Sequence, residues 1–296
     1  FLDFSSIMRL TMASAQVNDL NICVATENGS GSASANTILF KSIFKMCIPC
    51  SGKNLFPSNI QGLPTWFQIR ASGKGYLSRK DSIDCMVLFN DVTAAKDVDD
   101  VHQGGVVVYD NSNPLPEGLM RDHLRFVGVP AWNLVKEHIK APQLRAKQRN
   151  IIYVGALAKL FGIPFEIVRE VLKDTFGDKP AVIESNLLCI KLGWEYIEKN
   201  NNEHALSMLE PIPEGNTGKI MVEGNTACAL GAIFGGVSVV AWYPITPSSS
   251  LVESIASYID RYRTDEKGKH RYAILQAEDE LASAAMVVGA GFTGAR

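Results

Sequence analysis

The 296-residue sequence has no uninterrupted apolar run of the ~18 residues that a membrane span needs. Its best candidate, residues 151–165, is broken by Gly155, Lys159 and Gly162, so a membrane is not expected as a partner. Net charge is also scarce: 29 basic against 31 acidic residues leave −2, which gives no electrostatic reason to expect nucleic acid or an anionic surface. The short basic cluster Arg145 to Arg149 reads as a solvated helix face. Cysteine is sparse. Six in this length are too few for a disulfide scaffold and point to a reduced, cytoplasmic setting. Cys47-Ile-Pro-Cys50 is formally a C-x-x-C pair, but without a second pair or a nearby histidine two packing cysteines at a helix end are favoured over a zinc or redox centre. The five histidines are scattered and form no ligand pattern. Residues 1–16 lack a charged segment ahead of an apolar core, so no secretory signal is expected. The first residue is Phe, which suggests a true start elsewhere, at Met8 or Met12, or a fragment.

What is present is material for two domains. Asn21 to Thr26 reads as a buried strand, followed by the turn Glu27-Asn-Gly-Ser-Gly-Ser-Ala-Ser-Ala-Asn36 and a helix over Thr37 to Met46. Strand, small-residue loop and helix is an arrangement that cradles phosphate, because loop N–H groups and a helix N-terminus converge. It is only part of a dinucleotide fingerprint: Ser34 stands where a third glycine would be, and Pro49 to Asn54 offers no acid for a ribose. A phosphate-bearing ligand and a purely structural turn both remain open.

Lys53 to Arg70, rich in prolines and aromatics, reads as an interface or ligand-facing loop ending in an alternating strand, Thr65 to Arg70. Continuous apolar strands at Cys85 to Phe89, Gly105 to Tyr109 and Leu124 to Val129 predict a mostly parallel sheet buried on both faces. Asn90-Asp91 and Asp110-Asn111-Ser112 then fall at strand ends, where capping of the next segment is the expected role. Helical periodicity predicts helices over Asn133 to Arg149, Ile151 to Leu160, Pro164 to Phe176 and Ala181 to Glu198. Periodicity is lost from Lys199 to Gly218, where a domain boundary is expected.

The second unit begins with a helix, 224–236, so rich in Gly and Ala that another backbone or a flat ligand is expected to pack on it. Next come strand Ser238 to Trp242, helix Ser248 to Arg263, strand Tyr272 to Leu275 and helix Asp279 to Gly289. Two strands do not make a domain sheet, so a C-terminal truncation is expected. The central stretch is Trp242-Tyr-Pro-Ile-Thr-Pro-Ser-Ser-Ser250. Its prolines remove donors just where a strand ends, Thr246 is held between them, and the serines are candidates to cap the next helix. Gln276-Ala-Glu-Asp-Glu280 repeats the strand-to-helix form one unit later.

Taken together, Gly29-Ser-Gly-Ser-Ala-Ser-Ala-Asn36, the 53–66 stretch, Trp242 to Ser250 and Gln276-Ala-Glu-Asp-Glu-Leu-Ala282 resemble the α subunit of 2-oxoacid:ferredoxin oxidoreductases. The chain is similar to the form in which a γ domain is fused ahead of the α domain, cut short at the C-terminus. The resemblance covers nearly everything after residue 18. It implies an α/β fold: an N-terminal Rossmann-like γ domain at 18–200 after an extension at 1–17, a linker at 201–217, and at 218–296 the start of a thiamine-diphosphate-binding, pyrimidine-type α/β domain.

The resemblance also implies oxidative decarboxylation of a 2-oxoacid, with 2-oxoglutarate favoured, to acyl-CoA and CO₂ with reduction of ferredoxin. Thiamine diphosphate would be shared with a partner β subunit carrying Mg²⁺ and a [4Fe-4S] cluster, with coenzyme A as cosubstrate. Glu278 matches the glutamate that hydrogen-bonds the aminopyrimidine ring and favours its imino form. Thr246 matches the threonine that contacts the substrate carbonyl or carboxylate. Tyr243, Pro244 and Ile245 fall on the same thiamine and substrate side. Glu280 is expected only as a first-turn acid that satisfies the helix dipole. Gly29, Gly31, Ser32, Asn59 and Gly62 are placed on the coenzyme A side. Two rival readings stand beside this one: a non-catalytic remnant or assembly module of such a complex, and a stand-alone nucleotide-binding Rossmann protein, for which the acidic ribose ligand is missing.

Overall fold

A computed structural model describes residues 17–56, 63–200 and 208–296. The chain divides into two compact units, Phe1–Gly218 and Lys219–Arg296. In the first unit a six-stranded sheet is built from β1 (Asp19–Glu27), β2 (Cys50–Leu55), β3 (Pro64–Ser72), β4 (Ile83–Leu88), β5 (Val101–Asp110) and β6 (Arg125–Val129) in the order β2-β3-β1-β4-β5-β6. β1, β4, β5 and β6 run parallel, as their apolar runs predict. Alternate residues go to opposite faces: Cys85 and Val87 join one core cluster while Met86 and Leu88 join the other, so the whole run is apolar.

The sheet is more mixed than the sequence suggests. β3 pairs antiparallel with both β1 and β2. β2 was not legible because an edge strand containing Gly52, Lys53 and Asn54, mostly solvent-facing, carries little strand signal. Cys50 opens that strand and Cys47 lies two residues beyond the preceding helix, α1 (Ser32–Lys45), with both thiols free.

The helices after β4 and β6 are α2 (Ala94–Asp99), α3 (Ala131–His138), α4 (Pro142–Phe161), α5 (Phe165–Phe176) and α6 (Pro180–Asn200). The expected single helix over 133–149 is instead split at 139–141. Pro142 cannot continue a helix and forces Ala141 into extended backbone, yet it suits a first helical position. The same change carries α4 straight through Asn150, which is buried. α4 and α6 cross closely. A Cβ on Gly155 would sit 2.7 Å from the Ile190 carbonyl carbon, and one on Gly193 3.0 Å from that of Ile152.

Residues 208–217 contain no helix or strand but are bonded to the first unit. Glu210 N–H donates to Asn18 Oδ1 (2.9 Å), Ile212 N–H to the Met46 carbonyl (3.1 Å), and Asn216 Nδ2 to the Phe44 carbonyl (2.9 Å).

The second unit comprises α7 (Gly224–Phe234), β7 (Val239–Trp242), α8 (Ser249–Arg263), β8 (Ala273–Gln276) and α9 (Glu280–Phe292). β7 and β8 pair in parallel, with Trp242 opposite Gln276. Their core is small: Ala229, Ile233, Ile255 and Ile259. The apolar residues of α9 stay open, with Leu281 81% and Phe292 89% exposed. Among the described residues nothing lies within 4 Å of a Cβ placed on Gly224 or Gly231 of α7, so the close neighbour expected there is not supplied by this unit. No described helix is long and apolar enough to cross a membrane.

Candidate functional site

The turn after β7 leaves the sheet at Tyr243 and enters α8 at Ser249. The serines do not cap α8 in the expected way. Ser248 and Ser249 hydroxyls donate back to the Ile245 carbonyl (3.0 and 3.2 Å), and Ser250 donates to the Pro247 carbonyl (3.0 Å). Ser249 Oγ also accepts from the Ile245 N–H (3.1 Å). A first-turn hydroxyl lies within reach of carbonyls three and four residues back, so the turn closes on itself and its serines are consumed there. Pro244, Ile245 and Thr246 remain exposed at its tip, and Thr246 has no hydrogen bond among the described residues. The peptide between Thr246 and Pro247 is cis.

The turn after β8 lies at the same C-terminal edge, because the parallel register carries both strands to it together. The ladder extends one residue further, with Ala277 N–H donating to the Trp242 carbonyl (2.7 Å). Three acids follow in a row and each has a different situation. Asp279 caps α9, accepting from the Ala282 N–H at 2.8 Å. Glu280, read from sequence only as a dipole partner, lies in the first turn of α9 and also accepts a hydrogen bond from the Tyr243 hydroxyl at 2.7 Å. That bond holds the Glu280 carboxyl below its usual range and raises the Tyr243 phenol, since it is made to the ionised acid and the neutral phenol. Glu278 is exposed and has no polar partner among the described residues. The edge therefore presents one uncommitted carboxylate, Glu278, and one uncommitted hydroxyl, Thr246, with Tyr243 tying the two turns together.

In the first unit a cleft of about 260 Å³ opens at the C-terminal ends of the parallel strands, lined by Glu27, Ser30, Phe89, Asp110, Trp132 and Arg149 among others. Gly29 and Gly31 take left-handed backbone (φ 84° for both), which only glycine adopts freely, and Gly31 leads into α1. Ser32 is buried in the first turn. The Lys147 stem crosses the loop 3.2 Å from where a Gly31 Cβ would be. Asn150 Nδ2 donates to the Ser30 carbonyl and hydroxyl (3.0 and 2.9 Å), anchoring the loop from α4.

The 145–149 basic cluster is not simply a solvated face. Arg149 donates from Nε to Asp110 Oδ2 (2.6 Å) and lies 4.9 Å from the centre of the Phe89 ring, and Arg145 donates to the Ile139 carbonyl (2.8 Å). Asp110 also accepts from the N–H groups of Ser112 (3.1 Å) and Trp132 (3.2 Å). Periodicity alone could not find this, because a basic residue at a helix position reads as solvated unless its distant acid is known. Asn59 and Gly62 lie outside the described residues. Among the described residues no group of three or more His, Cys, Asp or Glu is placed to hold a metal.

Parallel strands whose C-terminal turns carry glycines in one unit, and an exposed carboxylate and hydroxyl in the next, define an α/β protein with candidate functional groups at strand ends. Residues 21–196 match the family described as pyruvate ferredoxin/flavodoxin oxidoreductase, and residues 230–296 match the thiamine-diphosphate-binding family of pyruvate flavodoxin/ferredoxin oxidoreductases. The chain belongs to the pyruvate ferredoxin/flavodoxin oxidoreductase family.

It is similar to the α subunit of 2-oxoacid:ferredoxin oxidoreductase 2 of Aeropyrum pernix, at 27% identity over 94% of this chain and 50% of the relative. It is also similar to the 2-oxoglutarate oxidoreductase subunit KorA of Mycobacterium tuberculosis, at 26% identity over 77% of this chain and 37% of the relative. Among solved structures, the 2-oxoglutarate:ferredoxin oxidoreductase of Magnetococcus marinus with 2-oxoglutarate, coenzyme A and succinyl-CoA bound superposes with a TM-score of 0.79. That alignment has 28% identity and covers 94% of this chain and 46% of the other. The chain thus spans about half the length of the curated relatives it matches.

Proposed function

We propose that the chain acts as a γ–α subunit of a thiamine-diphosphate-dependent 2-oxoacid:ferredoxin oxidoreductase, converting a 2-oxoacid, with 2-oxoglutarate favoured, to acyl-CoA and CO₂. The observation that carries this reading is the division of labour in 278–280: Asp279 and Glu280 are engaged, and Glu278 is left free at the same sheet edge as Thr246. Such a donor set suits thiamine. A free carboxylate can share a proton with a pyrimidine ring nitrogen, and a free hydroxyl can donate to a 2-oxoacid oxygen. When bound, the cofactor supplies carbanion stabilisation at the substrate carbonyl carbon.

On this reading Glu278 holds the shared proton, Thr246 orients the 2-oxoacid through its carbonyl or carboxylate, and Tyr243, Pro244 and Ile245 wall the cofactor side. Residues 18–200 form the γ-like domain, 201–217 the connection and 218–296 the thiamine-binding portion. The Gly29–Ser32 loop, together with Asn59 and Gly62, takes part of coenzyme A, with N–H groups of the loop available to a phosphate. The diphosphate, its Mg²⁺ and the [4Fe-4S] cluster are assigned to a partner β subunit, ferredoxin is the acceptor, and the complex is placed in the cytoplasm. Co-expression with the β partner, followed by dye reduction with a panel of 2-oxoacids, tests the proposal. The fastest turnover is expected with 2-oxoglutarate. A complex that binds thiamine diphosphate but reduces the dye with no 2-oxoacid would overturn it.

A further inference from the structure

Thr246 can orient a substrate only if its turn is held still. Tyr243 ties the first residue of the turn to Glu280, and the bonds within the turn tie the rest only to the start of α8. These internal hydrogen bonds run between 245 and 250. Among the described residues, the only hydrogen bonds that reach residues 244–250 from another element come from Asn225, at the start of α7. Asn225 Nδ2 donates to the Pro247 carbonyl at 2.8 Å and to Ser250 Oγ at 2.6 Å, while Ser250 Oγ donates to the same carbonyl. One side-chain amide thus grips the backbone one residue from Thr246.

What sets Asn225 apart within the helix pair is that its amide reaches past α8 to the backbone of the turn itself. α7 and α8 are held together below by Ala229 and Ile233 against Ile255 and Ile259, all buried. Among the described residues, polar contacts join the two helices at both ends: Asn225 with Ser250 and Thr226 with Ser254 (3.1 Å) next to the turn, and Arg263 with the Ile233 carbonyl (2.6 Å) at the far end. A half-buried neutral hydrogen bond adds little to folding, but it is directional, and directionality is what a substrate-facing hydroxyl needs.

We propose that Asn225 is a positioning residue for 2-oxoacid binding: it fixes the Pro247 carbonyl and through it the Thr246 hydroxyl. The inference rests on the reading of Thr246 as the substrate contact. In the complete complex with its β partner, Asn225→Ala lowers kcat/KM for the preferred 2-oxoacid by about 10- to 100-fold, the range expected for a misplaced contact. It weakens binding of a phosphonate analogue of that acid by a similar factor and leaves thiamine content and thermal midpoint near wild type. Ser250→Ala, which keeps the Asn225 bond to Pro247, stays within about threefold.

The double variant decides the route. If Asn225 acts through Thr246, Asn225→Ala adds less than about twofold in a Thr246→Ala background. A kinetically normal Asn225→Ala beside an impaired Thr246→Ala overturns the positioning role, as do additive effects or loss of thiamine or partner binding in Asn225→Ala. A kinetically normal Thr246→Ala overturns the underlying reading instead, whatever Asn225 does.

Discussion

Replacing Gly155 with alanine is expected to destabilise the first unit, although alanine is the better helix former by about 1 kcal/mol. The sign comes from the crossing of α4 and α6. The new Cβ would lie 2.7 Å from the Ile190 carbonyl carbon and 2.9 Å from the Trp194 nitrogen, inside the 3.4 Å at which ordinary contact begins. Both neighbours are backbone and cannot rotate away. The Ile190 carbonyl oxygen lies closer still, so the helices must move apart at that point, loosening a core that includes Ile152, Leu157 and Ile190, all 0% exposed.

Overpacking against rigid backbone costs about 3 kcal/mol, so the net loss after the propensity gain is about 2 kcal/mol. For a unit of this size that is a fall of roughly 4–8 °C in midpoint. Urea unfolding of the chain followed by tryptophan fluorescence measures it, with Trp194 reporting from beside the crossing. Gly193→Ala, whose Cβ would meet the facing helix 3.0 Å from the Ile152 carbonyl carbon, behaves alike. Gly231→Ala, with nothing within 4 Å, is neutral or slightly stabilising. A Gly155→Ala chain as stable as wild type would refute the reasoning.

Asp110→Ala removes the acceptor of Arg149 Nε and of two backbone N–H groups, at a cost of about 2 kcal/mol in urea unfolding because Arg149 keeps some solvent; a change under about 0.5 kcal/mol would contradict that role. At pH 8 iodoacetamide should label exposed Cys228 well before Cys23, Cys50 or Cys189, whose thiols burial pushes up to about 12, and peptide mass spectrometry reads the order. Tyr243→Phe should lower stability only within a pH window. Glu280 is held low, so the contribution of its bond to Tyr243 is present above the ordinary glutamate pKa and is lost as pH falls through the lowered value. The Tyr243 phenol is raised, so the same contribution is lost again as pH rises through that value. Wild-type and variant melting curves should therefore converge at strongly acidic and strongly alkaline pH, and a difference that persists there would contradict the bond.

Features that depend on neighbours in sequence were legible. The apolar runs of β4, β5 and β6 announced strands buried on both faces, and Pro244 and Pro247 marked the end of β7. Features that depend on distant partners were not. β2 is a strand only because β3 lies beside it, since its own residues are mostly polar and exposed. Gly155 looked like an interruption in an apolar run until Gly193 came opposite it. The resemblance to a family picked out Glu278 from three adjacent acids, but the reason it is the free one lies in Tyr243, 35 residues back, which engages Glu280, and in Asp279, the next residue, which caps α9.

The central claim is that Glu278, and not its neighbour Glu280, addresses the cofactor at the edge where Thr246 addresses the substrate. Glu278→Gln and Glu280→Gln, each in the full complex with its β partner, test it through 2-oxoacid-dependent dye reduction and partner co-purification. The account predicts that Glu278→Gln assembles and is inactive, while Glu280→Gln assembles and keeps substantial activity. Near-normal activity in Glu278→Gln would contradict it.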